Sequence, residues 1–119
     1  MIFKQELAEA ILRGEKTATR RRMSDNPRSP WWRQRCSYEV DQVFAVQPGR
    51  GQPRVGNARV IDVYPQRLYD MEAPDARAEG FASLEAFIAT WKRINGGFFN
   101  ELVWVIEFEL VEAEGQVGG

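Results

Sequence analysis

Residues 102–110 read Leu-Val-Trp-Val-Ile-Glu-Phe-Glu-Leu and constrain the fold more than any other stretch of the chain. Strand alternation puts Val103, Val105 and Glu107 on one side and Trp104, Ile106 and Phe108 on the other, so both faces are largely apolar. Such a strand belongs inside a sheet, because large side chains on either face would otherwise meet water. The chain must therefore supply strands to flank it and helices or loops to cover it.

Those elements are legible elsewhere. Residues 4–13 set Leu7, Ala8, Ala10, Ile11 and Leu12 at helical spacing, and Gly14 follows where a left-handed cap belongs. Residues 17–21 read as a short strand, with Thr17, Thr19 and Arg21 on one face and Ala18 and Arg20 on the other. Residues 24–30 hold Pro27, Pro30 and small polar side chains, and are expected to be loop. Apolar and β-branched content predicts strands over 42–47 and 54–64, joined through Pro48-Gly49-Arg50-Gly51 as a tight hairpin. Residues 72–80 and 83–94 read as two helices, the second capped by Ser83, buried through Leu84, Phe87, Ile88 and Trp91, and ended by Asn95-Gly96-Gly97. Residues 112–119 are expected to form an acidic, flexible tail, which leaves one α+β domain over residues 1–111.

The residue inventory narrows the chemistry. With no histidine and Cys36 as the one thiol, Ser-His and Cys-His nucleophilic pairs are excluded, intramolecular disulfides are impossible, and neither a metal site nor a cofactor is expected. The sequence turns amphipathic from Met1 onward and has no apolar run long enough to span a membrane, so a soluble cytoplasmic protein is expected; oligomeric state is not readable.

A net charge of -1 conceals strong segregation: residues 13–35 carry eight Lys or Arg against Glu15 and Asp25, while residues 101–119 carry five Glu and no base. A basic face for phosphate, nucleotide or RNA on an acidic protein is one reading; a solvated arginine-rich loop is the other. At the centre of this region stands Gly14-Glu15-Lys16-Thr17-Ala18-Thr19-Arg20-Arg21-Arg22. A threonine hydroxyl is a weak nucleophile, and a lysine deprotonated by burial and by neighbouring arginines can activate it, which an arginine cannot. The same residues would equally serve to cap and pair a strand. Trp31 and Trp32, set among arginines, suit either base stacking or packing at the end of a barrel. Arg50, at the hairpin tip, suits either a phosphate contact or plain solvation.

The combination of Gly14-x-Lys16-Thr17-x-Thr19-x-Arg21, the Pro48-Gly49-Arg50-Gly51 hairpin, Asp75-Ala76-x-x-Glu79-Gly80-Phe81 and the Trp104-Val105-Ile106-Glu107-Phe108 strand resembles the ASCH domain family over about residues 3–111. That resemblance implies a small PUA-like, partly open β-barrel flanked by helices, with a cleft for RNA or a modified nucleoside. Within the family are amidohydrolases that deacetylate N4-acetylcytidine through a lysine, a threonine and a glutamate; carried over, these fall on Lys16, Thr19 and Glu79. Thr17, Arg20, Arg21, Arg22, Trp31, Trp32 and Arg50, drawn from the reading of the residues themselves, are the candidates for substrate binding. Other members have been described as ribonucleases, and the wider superfamily includes RNA-binding modules without turnover. An arginine- and tryptophan-rich insertion after Arg22 sets this chain apart from the minimal pattern.

Overall fold

The computed structural model describes residues 1–97 and 100–113, with the side chains of residues 112 and 113 excepted. In chain order its elements are α1 (Gln5–Leu12), β1 (Ala18–Arg22), β2 (Trp31–Trp32), β3 (Arg35–Cys36), β4 (Val43–Val46), β5 (Gly56–Arg67), a 3-10 turn (Leu68–Asp70), α2 (Ala73–Ala78), α3 (Leu84–Asn95) and β6 (Leu102–Ala113). The main sheet is antiparallel in the order β1-β6-β5-β4, and β2 pairs with β3 separately. Among the described residues the two sheets do not join into a closed barrel.

The two-sided strand is internal, as its pattern requires: β6 lies between β1 and β5. Its faces serve different cores. Ile106 and Phe108 pack with Phe3, Ile11, Phe44 and Val60, whereas Val103 and Val105 pack with Leu68, Met71, Phe87 and Trp91. Helix α1 belongs to the first core, α2 and α3 to the second.

Element ends differ from the sequence expectation in instructive ways. Strand β5 runs on through Pro65 to Arg67, past the expected end at residue 64. Beyond Arg59, β4 no longer pairs with β5, so a residue lacking an N–H fits a strand bonded on one side alone. The connection from Val46 to Gly56 is longer than a tight hairpin turn. Strand β6 continues to Ala113, paired with Gly56, past the expected domain end; the rest of the expected tail, 114–119, lies outside the described residues. The insertion after Arg22 is folded into the β2–β3 hairpin, a pairing that its loop-like composition does not announce. The second long helix follows the reading closely: Ser83 Oγ accepts from the Ala86 N–H at 3.1 Å, and Gly96 closes α3 with a positive φ.

Candidate functional site

Gly14, at φ +76°, turns the chain sharply at the end of α1. The N–H groups of Glu15 and Lys16 then both bond the carbonyl of Ala10, and Thr17 N–H bonds the carbonyl of Ala78 at 2.7 Å. This ties the start of β1 to the end of α2. Glu79 caps α2, and Gly80 follows at φ +95°; a Cβ there would stand 3.4 Å from Lys16 Cβ and 3.6 Å from Leu7 Cδ2. The dihedral favours glycine, while a Cβ would be in ordinary van der Waals contact, and the turn sets Glu79 beside Lys16.

The Lys16 ammonium is buried, with 2% of the residue exposed. It donates to Ala18 O at 2.7 Å, to Glu79 O at 2.9 Å and to Glu79 Oε1 at 3.2 Å, so each of its three protons has an acceptor. Burial lowers its pKa, Glu79 opposes that, and the charges of Arg21 and Arg20 reinforce it. Glu79 offers its other oxygen to Arg20, whose terminal nitrogen is 3.0 Å away. The remaining Arg20 donors reach Gln66 Oε1 at 2.9 Å and Asp75 Oδ1 at 3.6 Å. Asp75 has a second task, accepting from the Glu72 N–H at 2.8 Å at the start of α2. Lys16 and Arg20 thus face Glu79 and Asp75 in a matched cluster.

Arg21 is different. Its Nε donates to Thr19 Oγ1 at 3.4 Å and a terminal nitrogen donates to Ile2 O at 2.9 Å. Its guanidinium lies over the rings of Phe3, at 5.2 Å, and Trp31, at 5.5 Å. Trp31 in turn stacks on Tyr38 with centroids 5.1 Å apart. These groups open on a cleft of about 590 Å³, within the range of small-ligand sites, whose far wall is Phe81 and the α3 residues Phe87, Thr90, Trp91 and Ile94.

Of the residues singled out from sequence, Lys16, Thr19, Glu79, Arg20, Arg21, Arg22 and Trp31 all line this cleft. Thr17, Trp32 and Arg50 do not. Thr17 is exposed and contributes its main chain, to Ala78 and Phe108. Trp32 presents its carbonyl to Trp104 Nε1 at 2.9 Å, and Arg50 borders a separate cavity against α1. Lys16 and Glu79 are hydrogen-bonded to each other, while Thr19 is bonded to Arg21. Sequence reasoning missed Gln66, Asp75 and Phe3. Asp75 alone left a signal, being four residues before Glu79 and so on the same side of α2. Among the described residues no cluster of three His, Cys, Asp or Glu is placed to hold a metal, and no helix is long and apolar enough to cross a membrane.

The profile of the ASCH domain family matches residues 1–116. Among solved structures, a protein from Enterococcus faecalis is similar with a TM-score of 0.71 at 16% identity, covering 97% of this chain and 76% of that one. An ASCH domain from Lactobacillus crispatus is similar with a TM-score of 0.66 at 22% identity, covering 90% and 71%. An ASCH protein from Zymomonas mobilis gives a TM-score of 0.64 at 14% identity, covering 95% and 70%. No curated protein matches the sequence. The structural neighbours share the fold, a mixed α+β arrangement of helices around an open antiparallel sheet.

Proposed function

The chain belongs to the ASCH domain family, and from that premise we propose that it hydrolyses the amide of a modified cytidine, N4-acetylcytidine being the substrate to test. ASCH domains are RNA-associated, which supports a ligand derived from nucleic acid. The observation that carries the reading is the meeting of Lys16, Thr19 and Glu79, each at most 4% exposed, on one cleft. Buried polar groups on the wall of a cleft that also offers aromatic and aliphatic surface from Phe3, Trp31, Phe81 and Phe87 are what a hydrolytic site needs.

In this reading Lys16, once it has lost a proton, accepts the hydroxyl proton of Thr19 as Thr19 Oγ1 attacks the acetyl carbonyl carbon. Arg21, already at hydrogen-bond range of Thr19, donates to the developing oxyanion. Collapse breaks the C–N bond, the Lys16 proton goes to the departing cytidine amine, and water then cleaves the acyl-threonine ester to release acetate. Glu79 holds Lys16 in place, and Arg20 holds Glu79. The reading carries with it a cytoplasmic setting and a functional domain over residues 1–111.

The second reading is RNA binding without turnover. It is favoured by the exposed Arg33 and Arg35 on the β2–β3 insertion, which also brings Trp31 to the cleft. Incubation of the purified protein with N4-acetylcytidine separates the two. Release of cytidine and acetate, lost in Thr19→Ala, supports the hydrolase; RNA retention with no cytidine released supports the binding module.

A further inference from the structure

We propose that Arg21 and Thr19 form a binding site for a small monocarboxylate, seated between the rings of Phe3 and Trp31 on the cleft wall. The inference rests on the amide-hydrolase reading for its choice of anion, since a carboxylate is what hydrolysis of an acyl amide leaves behind.

The charge distribution motivates it. Lys16 and Arg20 share Glu79, and Arg20 also reaches Asp75, so two cations answer two carboxylates. Arg21 is left over. Among the described residues it has no carboxylate at ion-pair distance, and its bonded acceptors, Thr19 Oγ1 and Ile2 O, are both neutral. Rings at 5.2 and 5.5 Å shield its faces, so it is half withdrawn from water while its edge lines the cleft. A partly desolvated cation with only neutral acceptors gains from an incoming anion.

Three features select a carboxylate. The guanidinium is a planar fork that matches two coplanar oxygens. The excess charge of the cluster is a single positive one, and a phosphate dianion would bring a second negative charge within reach of Glu79, whose field already acts on Arg21. Phe3 and Trp31, on the same cleft wall, offer ring surface to the alkyl group of a carboxylate, which inorganic phosphate lacks. Under this arrangement the acid product occupies the place of the oxyanion and inhibits turnover.

The test is calorimetric titration of the full chain with acetate, propionate and inorganic phosphate at constant ionic strength, beside Arg21→Gln and Arg21→Lys. Saturable binding of propionate and acetate is expected, tighter than phosphate, with affinity reduced about tenfold or more in Arg21→Gln and less in Arg21→Lys. Phosphate binding more tightly than either carboxylate overturns the proposal, as does an Arg21→Gln affinity equal to wild type. Should Arg21→Gln fail to fold, NMR of the wild type decides: propionate must shift the Arg21 Nε and Trp31 indole resonances, and shifts confined to other residues overturn the site. Deacetylation assayed in parallel keeps the two readings apart. Arg21-dependent carboxylate binding without deacetylation removes the hydrolase and keeps the anion site, whereas deacetylation without that binding does the reverse.

Discussion

Lys16 and Glu79 hold each other twice, the ammonium donating to the Glu79 main-chain carbonyl at 2.9 Å and to its carboxylate at 3.2 Å. The two residues are 63 positions apart. Their pairing ties the segment leading into β1 to the end of α2, and both residues line the cleft.

Removing Glu79 should therefore cost stability before it costs anything else. Glu79→Ala leaves both Lys16 and Arg20 buried without a full partner, and breaking a buried pair in this way costs about 3–5 kcal/mol. Glu79→Gln, which keeps an acceptor for Lys16, should be destabilised less. Urea unfolding of the three proteins checks this; equal stability of Glu79→Ala and wild type would remove the cluster from any structural role.

Lysine chemistry at residue 16 is separable from its charge. Lys16→Arg retains a cation but no usable proton acceptor, so deacetylation should fall by a factor on the order of 100 or more while ligand binding survives. Thr19→Ser should retain part of the activity and Thr19→Ala none. A Lys16→Arg protein at wild-type rate, with the fold verified by circular dichroism, would end the proton-transfer role.

The pH dependence has a definite sign. Burial, the largest influence, puts the Lys16 pKa in the folded protein below its ordinary value, so between the two values the unfolded chain binds more protons. The contribution of Lys16 to stability consequently rises with pH, being least favourable below the folded pKa and relieved as pH climbs through it. Wild type compared with Lys16→Met should become relatively more stable as pH rises toward the ordinary lysine range, about pH 10. Turnover should rise over the same interval as the amine form accumulates; a flat difference in urea midpoints would contradict the assignment.

Salt should discriminate among the arginines if RNA is bound. Arg20, with 1% of its side chain exposed and its donors committed to Glu79, Gln66 and Asp75, is placed to support the fold rather than a phosphate backbone. Arg28, Arg33 and Arg35 are exposed. Replacing two of these three by alanine should lower the slope of log affinity against log salt by roughly 0.7 for each phosphate no longer neutralised on a single strand. Arg20→Ala should instead lower the melting temperature, and an unchanged slope in the surface variants would move the RNA face elsewhere.

What the sequence determined alone was everything carried by short-range pattern. The two-sided apolar run of residues 102–110 required an internal strand, Gly14 and Gly96 marked helix ends through their left-handed geometry, and Ser83 announced the start of α3. The Thr19 and Arg21 pairing was legible too, because residues two apart on a strand share a face. Tertiary structure decided the rest. Periodicity says that a residue is buried or which way it faces, but not which distant residue it meets; that depends on how two cores pack against opposite faces of β6. So Glu79 came to be shared by Lys16 and Arg20, Gln66 and Asp75 became the partners of Arg20, and Trp31 rather than Trp32 came to lie over Arg21. Arg50, alike in its local sequence signals, fell on another surface because the connection carrying it lies against α1 at a separate cavity and does not reach the cleft.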